Sequence, residues 1–390
     1  MVQSAYIHVP FCQHRCGYCN FSLAAGRGDL VKPFLNALEV ELSQVLGAPR
    51  PMSTVFLGGG TPTYLCPKDL SRLLELCRYW LPVTEAGEFS CEANPVDCSP
   101  DILQVLQKGG VNRLSLGGQS FQNHKLHILE RDHSPEELTE AVGRCLRVIP
   151  NTSLDLIFAV PGETLPDWKR DLAMAVELDV PHVSTYGLTI ERGSRFFGRL
   201  QRHEFLETTE DQQLAMYEVA IEQLTRAGLQ HYEVSNFAKN GFACRHNEAY
   251  WLGESWWAFG PSGAAFLPVA GTSVKLRTVN HASVFTYIKR IRHGQSPLAS
   301  IDEIDLQDQV RERLVFGLRR MQGVSSRDLD SLWGGDSRTL FEPHLSEYIC
   351  HGLIQQIASE TGQGSHFRLS RKGLMVSDSL WPNLLARSIG

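Results

Sequence analysis

Residues 1–27 read MVQSAYIHVPFCQHRCGYCNFSLAAGR. The apolar run AYIHV has the length and the β-favouring residues of a strand, and it leads directly into Cys12, Cys16 and Cys19, three of the ten cysteines of the chain. A helical pattern follows (VKPFLNALEVELSQVL, 31–46), and the layout then recurs. TVFLGG precedes KDLSRLLELCRYWL, EFSCEA precedes PDILQVLQKGG, VNRLSLGG precedes PEELTEAVGRCLRV, TSLDLIFAVPG precedes LPDWKRDLAMAVEL, and HVSTYGLTI closes the series. Strand and helix alternating about six times mark a parallel sheet with crossover helices. The fold class is therefore α/β, a partial (β/α) TIM-like barrel over residues 1–230 whose clearest alternation ends near residue 200.

In such a barrel the functional groups belong at the C-terminal ends of the strands. The three cysteines follow AYIHV, GGGTPT (58–63) follows TVFL, Glu92-Ala-Asn-Pro follows EFSC, Gln119 follows LSLGG, and Asp155 lies within SLDLIF. Periodicity alone does not put polar groups at the same end of five strands. Residues 231–300 are dense in aromatics and glycine, contain HNEAYW (246–251), and read as a functional extension. Residues 301–390 turn helical (DQVRERLVFGLRRM) and read as a small helical or winged-helix-like unit, with GQGSHFRLS (362–370) as its wing.

The 390 residues are 43% hydrophobic and 21% charged, with a net charge of −6. This ordinary, mildly acidic balance without a Lys/Arg block argues against nucleic acid or an anionic membrane surface as partner. No stretch approaches the roughly 20 apolar residues of a membrane span, and no signal-peptide layout is present, so a cytoplasmic location is expected. In a reducing cytosol clustered cysteines serve as metal ligands or catalytic groups more often than as disulfides. The other seven are scattered, as small buried hydrophobes would be.

A structural zinc site closes with four ligands, usually from two paired sets. Here a single set is spaced x3 then x2, leaving only His8 and His14 nearby, and His8 falls inside a strand. An iron–sulfur cluster is normally held by four cysteines, so three would leave one iron of a four-iron cluster open. GGGTPT lacks the lysine of a phosphate-binding loop.

The C-x3-C-x2-C loop after the first strand resembles the radical S-adenosylmethionine (SAM) superfamily. That resemblance implies a [4Fe-4S] cluster on Cys12, Cys16 and Cys19, with SAM chelating the open iron. It further implies that Gly59, Gly60 and Thr61 line the methionyl end, that Glu92, Gln119, Arg131 and Asp155 hold the amino, carboxylate and ribose groups, and that Tyr6 and Tyr18 stand beside the cofactor. Each of these polar groups also has a plain structural role open to it, such as a salt bridge at a barrel mouth.

YIHVPFCQHRCGYCNF, FLGGGTPTYL, EANP, GVNRLSLGGQSFQ, DLIFAVPGET, STYGLTIERG, YEVSNFAKNG, HNEAYW and LSRKGLMVSDS follow the order of the oxygen-independent coproporphyrinogen III oxidase-like family. Its oxidising members carry a fourth cysteine two residues after the third, plus an N-terminal extension. Phe21 holds the cysteine position here, and Tyr6 lies five residues from the start, so the chain resembles the HemW haem-chaperone subgroup. The resemblance implies haem as a third bound group, haem-accepting apoproteins and an electron donor as partners, and no coproporphyrinogen III dehydrogenase activity; the oxidase is the alternative. His246 of HNEAYW is the expected axial ligand, Cys244 a second candidate, and Tyr250, Trp251, Trp256 and Trp257 are candidates to cover the macrocycle. His246 as a hydrogen-bonded histidine in a packed loop is the competing reading. Relatives usually carry a histidine where this chain has Ala264.

Overall fold

The computed structural model describes residues 2–358 and 364–387. Six strands, β1 (Ser4–Val9), β2 (Met52–Gly59), β3 (Val83–Ala93), β4 (Arg113–Gln119), β5 (Thr152–Phe158) and β6 (His182–Gly187), pair in parallel in chain order. They are joined by α1 (Val31–Leu46), α2 (Pro67–Trp80), α3 (Pro100–Lys108), the short α4 (Asn123–Ile128) with α5 (Pro135–Val148), and α6 (Leu165–Glu177). Two of these helices start on capping boxes, Ser134 with Glu137 and Thr164 with Asp167, each followed by a proline in the first turn, where its missing N–H costs nothing.

The parallel strands alternate. Ala5, Ile7 and Val9, Val55 and Leu57, Leu114 and Leu116, Leu154 and Leu156 are all fully buried against the helix layer. Between them Tyr6, His8, Arg113, Ser115, Asp155 and Ser184 turn to the concave side and line a cavity. Parallel strands normally read as continuous apolar runs because both faces are covered by hydrophobic layers. Here one face is polar, so the barrel interior is a chamber with its own chemistry.

Residues 231–300, read from the sequence as an extension, extend the same sheet at both edges. β7 (Gln230–Glu233) and β8 (Asn236–Ala238) add antiparallel strands beyond β6. On the other side β9 (Trp256–Phe259) pairs in parallel with β1, and β10 (Ala264–Pro268), β11 (Lys275–Asn280) and β12 (Leu298–Ile304) continue antiparallel, giving twelve strands. The short helices α7 (Arg195–Gln201) and α9 (Arg245–Trp251) and the longer α8 (Glu210–Arg226) and α10 (Val284–Arg292) complete this part.

A second, smaller core forms around α11 (Leu306–Leu318), with Leu314, Leu318, Leu329, Phe341 and Leu384 buried together. Its sheet joins β13 (Val324–Ser325) to a hairpin of β14 (Ile354–Ala358) and β15 (Ser365–Leu369), the arrangement of a winged helix. The tip of the expected wing, residues 359–363, lies outside the described residues. Among the described residues no helix is long and apolar enough to cross a membrane.

Candidate functional site

Two cavities of about 830 and 890 Å³ adjoin inside the barrel and share Glu92, Ser115, Asp155 and Tyr186 as walls. Cys12, Cys16 and Cys19 all line the first, at the mouth of β1. Cys12 Sγ lies 3.3 Å from Thr61 Oγ1, and Arg131 Nη1 donates to Cys16 Sγ at 3.4 Å. Burial pushes the Cys12 thiol up to about 11 and raises that of Cys19, so iron binding must displace protons from both. Among the described residues no three His, Cys, Asp or Glu side chains converge on a point where a single ion would sit. Three thiols facing one cavity without meeting suit a multi-iron cluster, whose thiolates bind different irons. His14 reaches 3.8 Å from Cys16 Sγ, but its Nε2 is engaged by the Glu130 carbonyl at 2.8 Å.

Gly59, Gly60 and Thr61 form the opposite lip. Gly59 has φ +102°, and a Cβ there would stand 2.3 Å from the His8 ring; one on Gly60 would meet the Val9 and Phe11 carbonyls at 2.6 Å. The Gly59 N–H donates to Glu92 Oε2 at 3.0 Å. Burial, with Asp155 nearby, lifts the Glu92 carboxyl to about 8. Asp155, also raised by burial, accepts from Ser115 Oγ at 3.0 Å. Gln119 ends β4 at φ +66°, and Arg131 Nη2 donates to the Gly117 carbonyl at 2.8 Å and to Asn94.

The loop carrying Gln119 and Arg131 is fixed from below. Lys125, fully buried, binds Glu163 at 2.5 Å, Asp171 at 2.7 Å and the Ile157 carbonyl at 3.0 Å, while Asp171 accepts from Ser120 Oγ and the Phe121 N–H at 2.7 Å each. Tyr18 lines this first cavity. Tyr6 does not: it lines the second, with its hydroxyl 3.3 Å from His8 Nδ1 and its ring stacked on Phe56, because its strand position turns it to the barrel interior.

His246 also lines the second cavity and is 1% exposed. Both ring nitrogens are engaged, Nδ1 with Thr54 Oγ1 and Nε2 with the Tyr250 hydroxyl, each at 2.9 Å, and the ring stacks on Phe56. Burial, with Arg113 adding to it, lowers the imidazole to about 3, so it is neutral. The helix that carries it is held at its N-terminus by Glu88 of β3, which accepts from the N–H groups of Arg245 at 3.0 Å and His246 at 3.1 Å. Cys244, its thiol pushed by burial to about 12, points at the same carboxylate. Of the four aromatics expected over a macrocycle, Tyr250 and Trp256 face the cavity. Trp251 turns instead to Arg319 and Phe316 of the second core, and Trp257 packs against the barrel's outer core. Ala264 stands at the cavity wall, and Phe21, 64% exposed, at the rim of both chambers.

Residues 6–175 match the radical SAM superfamily and residues 304–376 the HemN C-terminal domain. The chain is 35% identical over 363 residues to the heme chaperone HemW of Bacillus subtilis (strain 168), covering 92% of this chain and 94% of that one. It is 38% identical over 394 residues to the heme chaperone HemW of Escherichia coli (strain K12), covering 98% of each. The chain belongs to the HemW group of the radical SAM superfamily. A [4Fe-4S] cluster and SAM follow from that membership. Coproporphyrinogen III oxidase (HemN) from Escherichia coli shares the fold, at a TM-score of 0.83 and 21% identity over 98% of this chain and 90% of that one.

The sequence reading missed Phe56, Arg113, His182, Ser184 and Tyr186, all of which line the second chamber. For Arg113 a signal was available: VNRLSLGG alternates polar and apolar residues from Arg113 to Leu116, which strands of a filled parallel barrel do not do.

Proposed function

We propose that the protein is a haem chaperone. It holds a [4Fe-4S] cluster on Cys12, Cys16 and Cys19, SAM beside it, and haem in the adjoining chamber, and it passes haem to acceptor apoproteins in the cytoplasm while an external electron donor serves the cluster. The observation that carries this reading is the pair of adjoining chambers, one edged by three thiols and a glycine lip, the other by Tyr6, Phe56, Tyr250 and Trp256.

In the first chamber Gly59, Gly60 and Thr61 would line the methionyl end of SAM, Glu92 would face its ammonium, and Arg131, Gln119, Asp155 and Tyr18 would take its remaining polar groups. When bound, cluster and SAM supply one-electron chemistry at the sulfonium. In the second chamber the aromatic rings cover the macrocycle and keep water from it. His246 would meet the haem iron only by giving up one of its two hydrogen bonds.

Phe21 stands where the oxidising members carry a cysteine, so turnover of coproporphyrinogen III is not expected. Anaerobically reconstituted protein, given reductant and SAM, should retain haem with a Soret band and leave coproporphyrinogen III unconsumed. Steady formation of protoporphyrinogen IX would refute the chaperone reading.

A further inference from the structure

The floor of the second chamber holds two buried donors without partners. Arg113, 2% exposed at the start of β4, leaves Nε unpaired, and no described residue accepts a hydrogen bond from its guanidinium, although Glu88 and Asp155 stand near enough to act on its charge. The neighbouring carboxylates are already engaged: Glu88 by the N-terminus of α9 and Ser90, Asp155 by Ser115.

The second donor is His182, 1% exposed, whose Nδ1 is also unpaired. The Cys244 N–H donates to the Tyr232 hydroxyl oxygen at 3.2 Å, and that hydroxyl lies 2.9 Å from His182 Nε2. In the arrangement where the Tyr232 O–H donates to Nε2, the proton of the neutral imidazole sits on Nδ1. Burial holds His182 neutral, so it presents an N–H and no second cation. Both residues line the same cavity, whose volume of about 890 Å³ suits a large ligand.

Buried donors of this kind are matched by an acceptor, and a cationic guanidinium beside a neutral N–H is matched by a carboxylate. We infer that Arg113 and His182 form a carboxylate subsite that takes a propionate of haem and so fixes which edge of the macrocycle enters the barrel first. This rests on the haem reading above. SAM also carries a carboxylate, and the experiment separates the two sources.

Full-length protein is titrated with haem, with haem dimethyl ester, in which both propionates are masked, and separately with SAM. The unmodified chain should bind haem at least about tenfold more tightly than the ester, the discrimination a charged hydrogen-bonded partner provides. Arg113→Gln should erase most of that preference, Arg113→Lys should keep part of it, and SAM affinity should be unchanged in both, with circular dichroism reporting the fold. Equal binding of haem and ester by the unmodified chain overturns the subsite and leaves haem binding standing, and that comparison needs no variant to fold. Loss of SAM affinity in Arg113→Gln with the haem preference intact overturns the assignment to a propionate. Absence of any haem binding overturns the subsite together with the chaperone reading.

Discussion

Tyr250→Phe is expected to tighten haem binding. His246 Nε2 is held by the Tyr250 hydroxyl at 2.9 Å inside a site where the imidazole is 1% exposed, so iron can take that nitrogen only if the hydrogen bond is given up. A buried neutral hydrogen bond contributes about 0.5–1.5 kcal/mol net. At about 1.4 kcal/mol per factor of ten, its removal should lower the haem dissociation constant about two- to twelvefold. The phenyl ring keeps the apolar cover, so the change isolates the hydroxyl. Soret titration of the two proteins measures the gain, and thermal melting of the haem-free variant should show a matching loss of stability. In a His246→Ala background the same Tyr250→Phe change should have no effect on affinity, which makes the pair a double-mutant cycle. Weaker or unchanged binding in Tyr250→Phe refutes ligation through Nε2 and directs attention to Nδ1, freed by Thr54→Val, or to Cys244.

Three further outcomes follow from the site. Alanine at any one of Cys12, Cys16 or Cys19 should abolish the visible absorption of the reconstituted cluster, whereas Cys91→Ala, in the outer core, should leave iron content unchanged. Because burial lifts Glu92 to about 8, its carboxyl is mostly protonated at neutral pH and must ionise to face the SAM ammonium; binding should release protons, seen as calorimetric heats that change with buffer ionisation enthalpy, and Glu92→Gln should lose that dependence along with roughly 1.5–3 kcal/mol of affinity. Gly59→Ala combines a φ of +102° with a Cβ 2.3 Å from the His8 ring, so SAM affinity should fall by at least about tenfold, measured by calorimetry, at a stability cost of about 1–3 kcal/mol.

The parallel half of the sheet was legible because each strand is followed by a helix pattern and a polar strand end, a repeat strong enough to survive local irregularity. The added strands β7–β12 were not; Trp256–Phe259, for example, is four residues long, three of them aromatic, and takes its place from pairing with β1 instead of from any period of its own. The three-cysteine loop stood out by its spacing and by its resemblance to a known motif, whereas the placement of Tyr6 depended on which face of β1 it occupies, a matter of register against β2. Arg113 was passed over because a lone arginine opening a strand looks like a solvated end; its burial follows from the sheet closing around it. That HNEAYW would send Tyr250 and Trp251 to different neighbours follows from its being a seven-residue helix, where adjacent side chains point about 100° apart.

Strand β3 carries both Glu88, which grips the helix of His246, and Glu92, which grips the glycine lip of the other chamber. Four residues apart on one face, their Cα atoms are about 13 Å apart at about 3.3 Å per residue, a spacing that a hydrogen-bonded strand inside a sheet cannot stretch or compress. The strand is thus a ruler between the two chambers. Because Glu92 is also a wall of both chambers, a shift of this strand would be felt at once by the glycine lip and by the helix of His246.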